Sequence, residues 1–333
     1  MTETAASNPH ETLVSTLDSL RIGAPTQRDR LTVWPLTVRD GAAGQARSLD
    51  YIPLSEALEK GSAEIEEVSE DGSVPNVLIR NHAPQAVLVL FGEEMRGAKQ
   101  NRVANATFLV PPRDRVVIDV SCVEAGRWSR RRRSAGGTAK FDELGSIVSH
   151  RLRHKMSLSV RRALEAKRGY RADQGEVWSE VGRRLSESDT HSATASYSDH
   201  HRARRRALAG IRDEVHATVG QIGLVAAIDG EVVGVDVIGR PDVFLRYFER
   251  LLDAYAIDAL DMPRADGAAR AARAPDPHAF LASLRAARGR PEPSIGLGQD
   301  LRLTSESIEG CALVTDEVVH LTAGPADLAE RGG

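Results

Sequence analysis

Gln221-Ile222-Gly223-Leu224-Val225-Ala226-Ala227-Ile228-Asp229-Gly230-Glu231-Val232-Val233-Gly234-Val235-Asp236-Val237 sets two apolar runs of strand length on either side of Asp229-Gly230. Asp-Gly suits the tight turn whose two central residues need positive φ, so this stretch carries the best hairpin signal in the chain. It decides the fold class because a helical segment precedes it, and β structure therefore returns after the helices. On its C-terminal side, Pro241–Leu260 carries Phe244, Leu245, Phe248, Leu251, Leu252 and Tyr255 at helical spacing. Pro275-Asp276-Pro277 precedes a second helix over His278–Ala287. Gly298–Leu303, Gly310–Val314 and Val318–Leu321 then read as strands, with Thr315-Asp316-Glu317 as a turn.

On the N-terminal side the reading changes character twice. Asp199–Val215 predicts a helix with a basic outer face, Ser186–Tyr197 a polar connection, and Gln174–Val181 the start of another helix. Phe141–Lys167 spaces Phe141, Leu144, Ile147, Val148, Leu152, Leu158, Val160 and Leu164 on a polar background, which predicts one or two amphipathic helices. Before Trp128 the chain reads as strands: Leu31–Val38, Ala63–Val68, Asn76–Arg80, Ala86–Phe91, Ala104–Val110 and Val116–Val120, with turns at Asp71-Gly72, Asn81–Pro84 and Pro111–Asp114. Tyr51–Gly61 reads as a short helix with Gly61 in the C′ position.

The expected class is α+β, with an antiparallel β-rich N-terminal half (sandwich or barrel-like), a helical middle and a β-hairpin/helix/β C-terminal part. The expected divisions are a mobile tail over 1–28 with a short helix at Glu11–Leu20, a β-rich half over 29–128, a helical and α+β half over 129–322 integrated with it, and a second tail over 323–333. No internal repeat or heptad is visible.

A chain of 333 residues with 41% hydrophobic and only 4% aromatic residues builds its cores from Val, Leu, Ile and Ala. Cys122 and Cys311 sit in apolar runs and read as buried thiols of a reducing compartment, with no disulfide and no metal site. No signal peptide or membrane-length apolar run is seen, so a cytoplasmic protein without membrane contact is expected. Net charge is -3, but Arg127–Arg171 holds fourteen Lys or Arg against three Asp or Glu. That stripe suits phosphates or nucleic acid. The alternative is a solvated face, since only five of the 44 basic residues are Lys and Arg does most of the chain's charging.

The chemistry-bearing residues lie between Phe91 and Trp128. Glu93 and Glu94 follow an apolar strand, and a carboxylate there can act as acid or base. Strand alternation allows at most one of them to face a site, with Glu94 the first choice and Glu93 the second. Otherwise one pairs with Arg96 or Arg102 and the other is solvated. Gln100 and Asn101 offer donors and acceptors, and Arg102 a two-pronged donor for phosphate; the alternative is that the amides cap backbone groups. Glu124, Arg127 and Trp128 complete the set, as a structural pair and a hydrophobic edge or as phosphate contact and stacking platform. On this reading Arg102→Ala weakens ligand binding and leaves stability nearly unchanged. His150, Arg151, His154 and Lys155 share a helical face better suited to an anion than to a metal. No Walker loop, Gly-x-Ser-x-Gly or Cys-x-x-Cys is present, and Gly296-Leu297-Gly298 is not a dinucleotide fingerprint.

Gly92-Glu93-Glu94, Gly97, Gln100-Asn101-Arg102, Val110-Pro111-Pro112 and Cys122–Trp128 together resemble the ADP-ribosylglycohydrolase- and rhodanese-phosphatase-associated domain family, a bacterial domain. The resemblance continues through Gln174–Trp178, the Asp229-Gly230 hairpin with Asp236, Leu251–Tyr255 and Gly296–Gly298 to His320-Leu321, about residues 30 to 322. It brings no catalytic residues to carry over. What it implies is a context of NAD-derived nucleotides, and so binding, and processing if Glu94 acts, of a phosphorylated nucleotide related to NAD or ADP-ribose. No cofactor is expected. The alternative is a non-enzymatic nucleic-acid-binding or protein-interaction module using the Arg127–Arg171 stripe.

Overall fold

The computed structural model describes residues 8–39, 49–68, 75–127, 140–262 and 275–330. The Asp71-Gly72 turn, Trp128 and the arginines at 130–133 lie outside them. Helices and mostly antiparallel strands give the expected α+β class.

The hairpin that opens the sequence argument forms as read. Strands β13 (Gln221–Ile228) and β14 (Glu231–Ile238) pair antiparallel across Asp229 and Gly230, at φ 50° and 86°. They lie within a nine-stranded sheet ordered β1-β3-β13-β14-β18-β17-β16-β15, with β2 also on β3. Its other members are β1 (Leu20–Ile22), β2 (Thr26–Arg28), β3 (Leu31–Val38), β15 (Arg288–Pro293), β16 (Gln299–Thr304), β17 (Ile308–Val314) and β18 (Val318–Pro325). The first strands of the chain thus belong to the C-terminal sheet and not to the N-terminal β half. β3 is the neighbour of β13, with Trp34 opposite Val225.

Two expected tails are corrected. Helix α1 (Pro9–Ser19), capped by the Asn8 side chain, buries Leu13 and Leu17 against the sheet with Phe280 and Leu284 of α7 (Pro277–Ala286). The short helix expected at Glu11–Leu20 is therefore present, but docked on the sheet and not carried in a mobile tail; its stripe of two leucines gains its worth from tertiary burial. At the other end β18 continues to Pro325, and Leu328 is buried. Strand β15, Arg-Gly-Arg-Pro-Glu-Pro, has no apolar alternation and was not expected. Its charges and prolines suit the edge it occupies.

The barrel-like expectation corresponds to a second sheet, ordered β12-β8-β9-β11-β6-β5. These are β5 (Ala63–Glu67), β6 (Asn76–Asn81), β8 (Glu93–Gly97), β9 (Arg102–Ala104), β11 (Arg115–Cys122) and β12 (Phe141–Ile147). A bridge between Glu66 and Lys140 joins its two ends, and the Lys140 ammonium reaches Glu64 at 3.2 Å and Glu66 at 3.6 Å. Ile65, Val77, Ile79, Met95, Ala104, Ile118, Val120 and Phe141 form the apolar cluster of this barrel. Strands β4 (Tyr51–Pro53), β7 (Ala86–Val89) and β10 (Phe108–Val110) make a small third sheet with β7 central, β4 running parallel to it and α2 (Leu54–Glu59) following.

Two readings of the sequence fail here for identifiable reasons. Phe141–Ile147 is strand β12, not helix. Register shifts fall between Phe141 and Glu143 and between Leu144 and Ile147. Such bulges stretch the alternation from two to three residues, which imitates a helical period. Ala104–Val110 is not one strand: Asn105 and Thr107 interrupt it, Asn105 bonding the Tyr170 carbonyl at 2.9 Å and Thr107 accepting from the Phe91 amide at 3.2 Å.

The helices of the middle are α3 (His150–Glu165), which packs on β17, α6 (Pro241–Asp261), and α4 (Gln174–Glu187) and α5 (Tyr197–Arg212), which pack on them and on β11 and β12 of the barrel. Helix α6 touches β13 and β14 on one side and β12 on the other, which is why it is buried nearly all round. Leu245, counted in its apolar stripe from sequence, is half exposed, while Tyr247 is buried. Both cysteines are buried and carry no disulfide. Burial pushes the thiols up, Cys122 to about 11 and Cys311 to about 12, so neither supplies a thiolate near neutrality. No helix among the described residues is long and apolar enough to cross a membrane.

Candidate functional site

Strand β8 divides the two adjacent carboxylates, as a two-residue period requires. Both are fully buried, so the expectation that one is solvated fails. Glu93 faces α6: its carboxylate takes the Arg250 guanidinium at 2.6 Å, the Leu90 amide at 3.1 Å and the Tyr247 hydroxyl at 3.4 Å. Glu94 faces the first turn of α5. It accepts from Arg96 at 3.1 Å, from the Ser198 hydroxyl and, at 3.5 Å, from the Asn101 amide. Gly145 of β12 stands so close that a Cβ there would collide with the Glu94 carboxylate.

Asn101 joins this corner to the next group. Its side-chain amide donates to Ser198 at 3.2 Å, while its carbonyl accepts from Arg127 at 3.1 Å and the Gly97 amide at 3.4 Å. Arg127 also donates to Glu124 at 2.7 Å and to the carbonyls of Ala98 and Gly97. Glu124 accepts further from Thr194 at 2.9 Å and from the Asn101 backbone amide at 3.1 Å. The loop that follows β8 is therefore tied down by Arg127 and Glu124, which form the structural pair allowed for in the sequence reading.

Burial pushes the Glu124 carboxyl up, but the donors from Arg127, Thr194 and Asn101 outweigh it and hold the group below its ordinary 4.5. A depressed folded value means that Glu124 contributes its stability above the unfolded value and loses it as pH falls through the folded one. Glu124→Gln should accordingly flatten the acid limb of a stability-versus-pH curve below about 4.5. Parallel curves for the variant and the parent would refute this.

Gln100 and Arg102 point elsewhere. Arg102 is fully enclosed, donating to Gln100 Oε1 at 2.7 Å and contacting the Cys122 thiol. Gln100 donates to the Glu124 carbonyl at 3.0 Å. Arg102 is thus a buried member of the barrel and not a phosphate clamp. A guanidinium at an inward position of a closed barrel strand has no route to solvent. Trp128 lies outside the described residues, so the structure gathers Glu94, Asn101, Glu124 and Arg127, sets Gln100 and Arg102 behind them, and turns Glu93 away.

The sequence reading missed a denser polar centre where α3, α6, β14 and β18 meet. Asp236 accepts both arms of Arg153 at 2.7 and 2.9 Å, the Tyr255 hydroxyl at 2.6 Å and His320 Nε2 at 3.1 Å. His320 Nδ1 faces the Thr107 hydroxyl at 2.6 Å, and His150 stacks on Tyr255 at 4.6 Å. Burial alone would raise Asp236, yet Arg153 and His320 hold it far below the carboxylate range; burial lowers His320 and favours its neutral form. Hydroxyl, imidazole and carboxylate stand in the order of a nucleophilic relay. The Thr107 hydroxyl is enclosed, however, and already accepts from the Phe91 amide, so this is a structural knot. His150 and Arg151, expected on an anion-facing helix surface, are buried here, and Lys155 is paired with Glu180 at 2.8 Å. The only sequence hint was that Asp236, Tyr255 and His320 all fall in the stretches that carry the family resemblance.

No curated protein and no solved structure matches the chain. A family model does, over residues 19–324, a span that includes the barrel, the Glu94 corner, the Asp236 knot and nearly all of the large sheet. With most of its length so matched, the chain belongs to the ARPP-1 family, the ARG and Rhodanese-Phosphatase-superfamily-associated Protein domain.

Proposed function

We propose that the chain binds a phosphorylated nucleotide related to NAD or ADP-ribose at the corner formed by Glu94, Asn101, Ser198, Arg96 and Arg127, and that Glu94 supplies the acid/base group for chemistry on it. One observation carries the reading: Ser198, half-buried in the first turn of the 16-residue helix α5, shares its hydroxyl with the fully buried Glu94 carboxylate. A helix start favours negative charge through its amide ends and dipole. Arg96 keeps a quarter of its side chain exposed beside it. A hydroxyl on a buried carboxylate is also the arrangement by which a base primes a nucleophile or a water. The family description supports the reading by context, since it names association with ARG and with the rhodanese-phosphatase superfamily.

The test is a thermal-shift screen of NAD, ADP-ribose, cyclic nucleotides and sugar phosphates. A ligand at a hundred times its Kd should stabilise the fold by about 2.7 kcal/mol. Ser198→Ala should shrink that shift, and Glu94→Gln should keep binding but abolish turnover. A screen without any shift, or one that both Ser198→Ala and Arg96→Gln leave unchanged, sinks the proposal.

The alternative reading, a nucleic-acid or protein partner, keeps the basic residues of the stripe that are exposed among the described residues: Lys140, Arg162, Lys167, Arg168 and Arg171. Salt separates the two. Binding to RNA through several such cations should fall steeply as ionic strength rises, whereas a small nucleotide should respond far less.

A further inference from the structure

We propose that the C-terminal end of α3, the turn after it and the edge strand β15 form one cationic surface that holds the phosphodiester backbone of a nucleic acid without reading its sequence. The proposal rests on the nucleic-acid reading of the basic stripe and uses nothing from the Glu94 corner. Arg162, Lys167, Arg168 and Arg171 belong to the end of α3 and the turn, while Arg288 opens β15, more than a hundred positions further along the chain. Tertiary contacts bring the two segments together. Arg290 of β15 pairs with Glu292 at 2.8 Å and reaches Glu165 of α3 at 3.9 Å, and the Tyr170 hydroxyl donates to the Pro293 carbonyl at 2.8 Å.

Three observations point to phosphates. First, these five cations are exposed and have no carboxylate partner among the described residues. The carboxylates nearby are already used: Glu165 by Arg161 at 3.2 Å, Glu292 by Arg290, and Asp173 as the cap of α4. Lys140, by contrast, is spent on Glu64 and Glu66. In a chain of net charge -3, a local surplus of this kind attracts polyanions. Second, the turn is a firm mount. The Arg168 amide bonds the Ala163 carbonyl at 2.8 Å and the Lys167 amide the Leu164 carbonyl at 2.9 Å, which closes α3 in a Schellman turn with Lys167 at φ 57°. Glycine is the favoured residue at such a position, yet a cation stands there. Third, none of the exposed large apolar side chains among the described residues belongs to these segments. A membrane-surface helix and the core of a protein interface both need such anchors, whereas a phosphate backbone is met through cations.

Fluorescence anisotropy of the full chain with a labelled mixed-sequence RNA of about 20 nucleotides, between about 50 and 200 mM salt, tests the surface. The logarithm of affinity should fall against that of salt with a slope of about −3 to −4, as expected for five phosphate contacts to a single strand. Arg168→Gln and Arg288→Gln, on separate segments, should each reduce that slope by about 0.7 and weaken binding at low salt. Arg205→Gln, which removes an exposed cation of α5, should change neither. Lys167→Gly should keep or raise Tm while weakening RNA, a combination that a purely structural lysine would not give. Absence of RNA binding at low salt would sink the nucleic-acid reading together with this surface. RNA binding that ignores Arg288→Gln, or that falls as much with Arg205→Gln, would overturn the surface and spare that reading. Equally tight binding to phosphatidylserine vesicles, lost in the same variants, would overturn it in favour of a membrane.

Discussion

Replacing Asp236 by Asn is expected to destabilise the fold by about 3–5 kcal/mol, the cost of leaving a buried charge without its partner. The reason is the company Asp236 keeps. Arg153 is fully buried and directs two arms at this carboxylate, and His320 and Tyr255 donate to the same two oxygens. Gly92, at φ 78°, packs with Arg153 so closely that a Cβ would stand 2.6 Å from its Cδ, so the guanidinium has no second place to go. Guanidinium chloride unfolding should show the loss as a lower midpoint at unchanged m. The double variant Asp236→Asn/Arg153→Met should recover much of it, because no uncompensated charge then remains. If the single variant is as stable as the parent, or the double is worse by the sum of both singles, the knot is not held by that ion pair.

Arg102→Ala is the second large effect, expected to cost about 3–4 kcal/mol of stability as a buried charge-assisted hydrogen bond and its packing are removed. From the sequence the same substitution was expected to weaken a ligand and spare the fold. Enclosure reverses that. The side chain is fully buried in the barrel, where it anchors Gln100, which in turn ties to the Glu124 carbonyl beneath the candidate corner. Arg102→Met, which keeps the stem and drops the charge, separates packing from electrostatics. Unaltered urea unfolding of the Ala variant would show that the barrel does not depend on this residue.

Much of the fold was legible. The Asp229-Gly230 hairpin, helix α6, helix α4 from Gln174 and the short helix before Gly61 follow from turn chemistry, periodicity and capping, all of which act within a few residues of chain. Failures arose where local signals were ambiguous. Bulges in β12 gave a strand a helical spacing, and the two-leucine stripe of α1 marked a short helix without revealing that it docks on the sheet. The prolines of β15 hid an edge strand. For the site, the sequence drew attention to the right stretch but could not assign directions. Glu93 and Glu94 are neighbours with different partners because β8 alternates, and Arg102 faces inward because β9 lies in a closed barrel.

By itself, then, the sequence determined the class, the central hairpin, the main helices and the family, since these rest on short-range pattern and on motifs. Tertiary structure alone decided which charges meet. Asp236, Arg153, Tyr255 and His320 come from four elements, and α5 brings Ser198 to a carboxylate more than a hundred positions earlier in the chain. Such pairings answer to low-dielectric burial, where a charge must find its partner whatever the distance along the chain, and no local pattern encodes them.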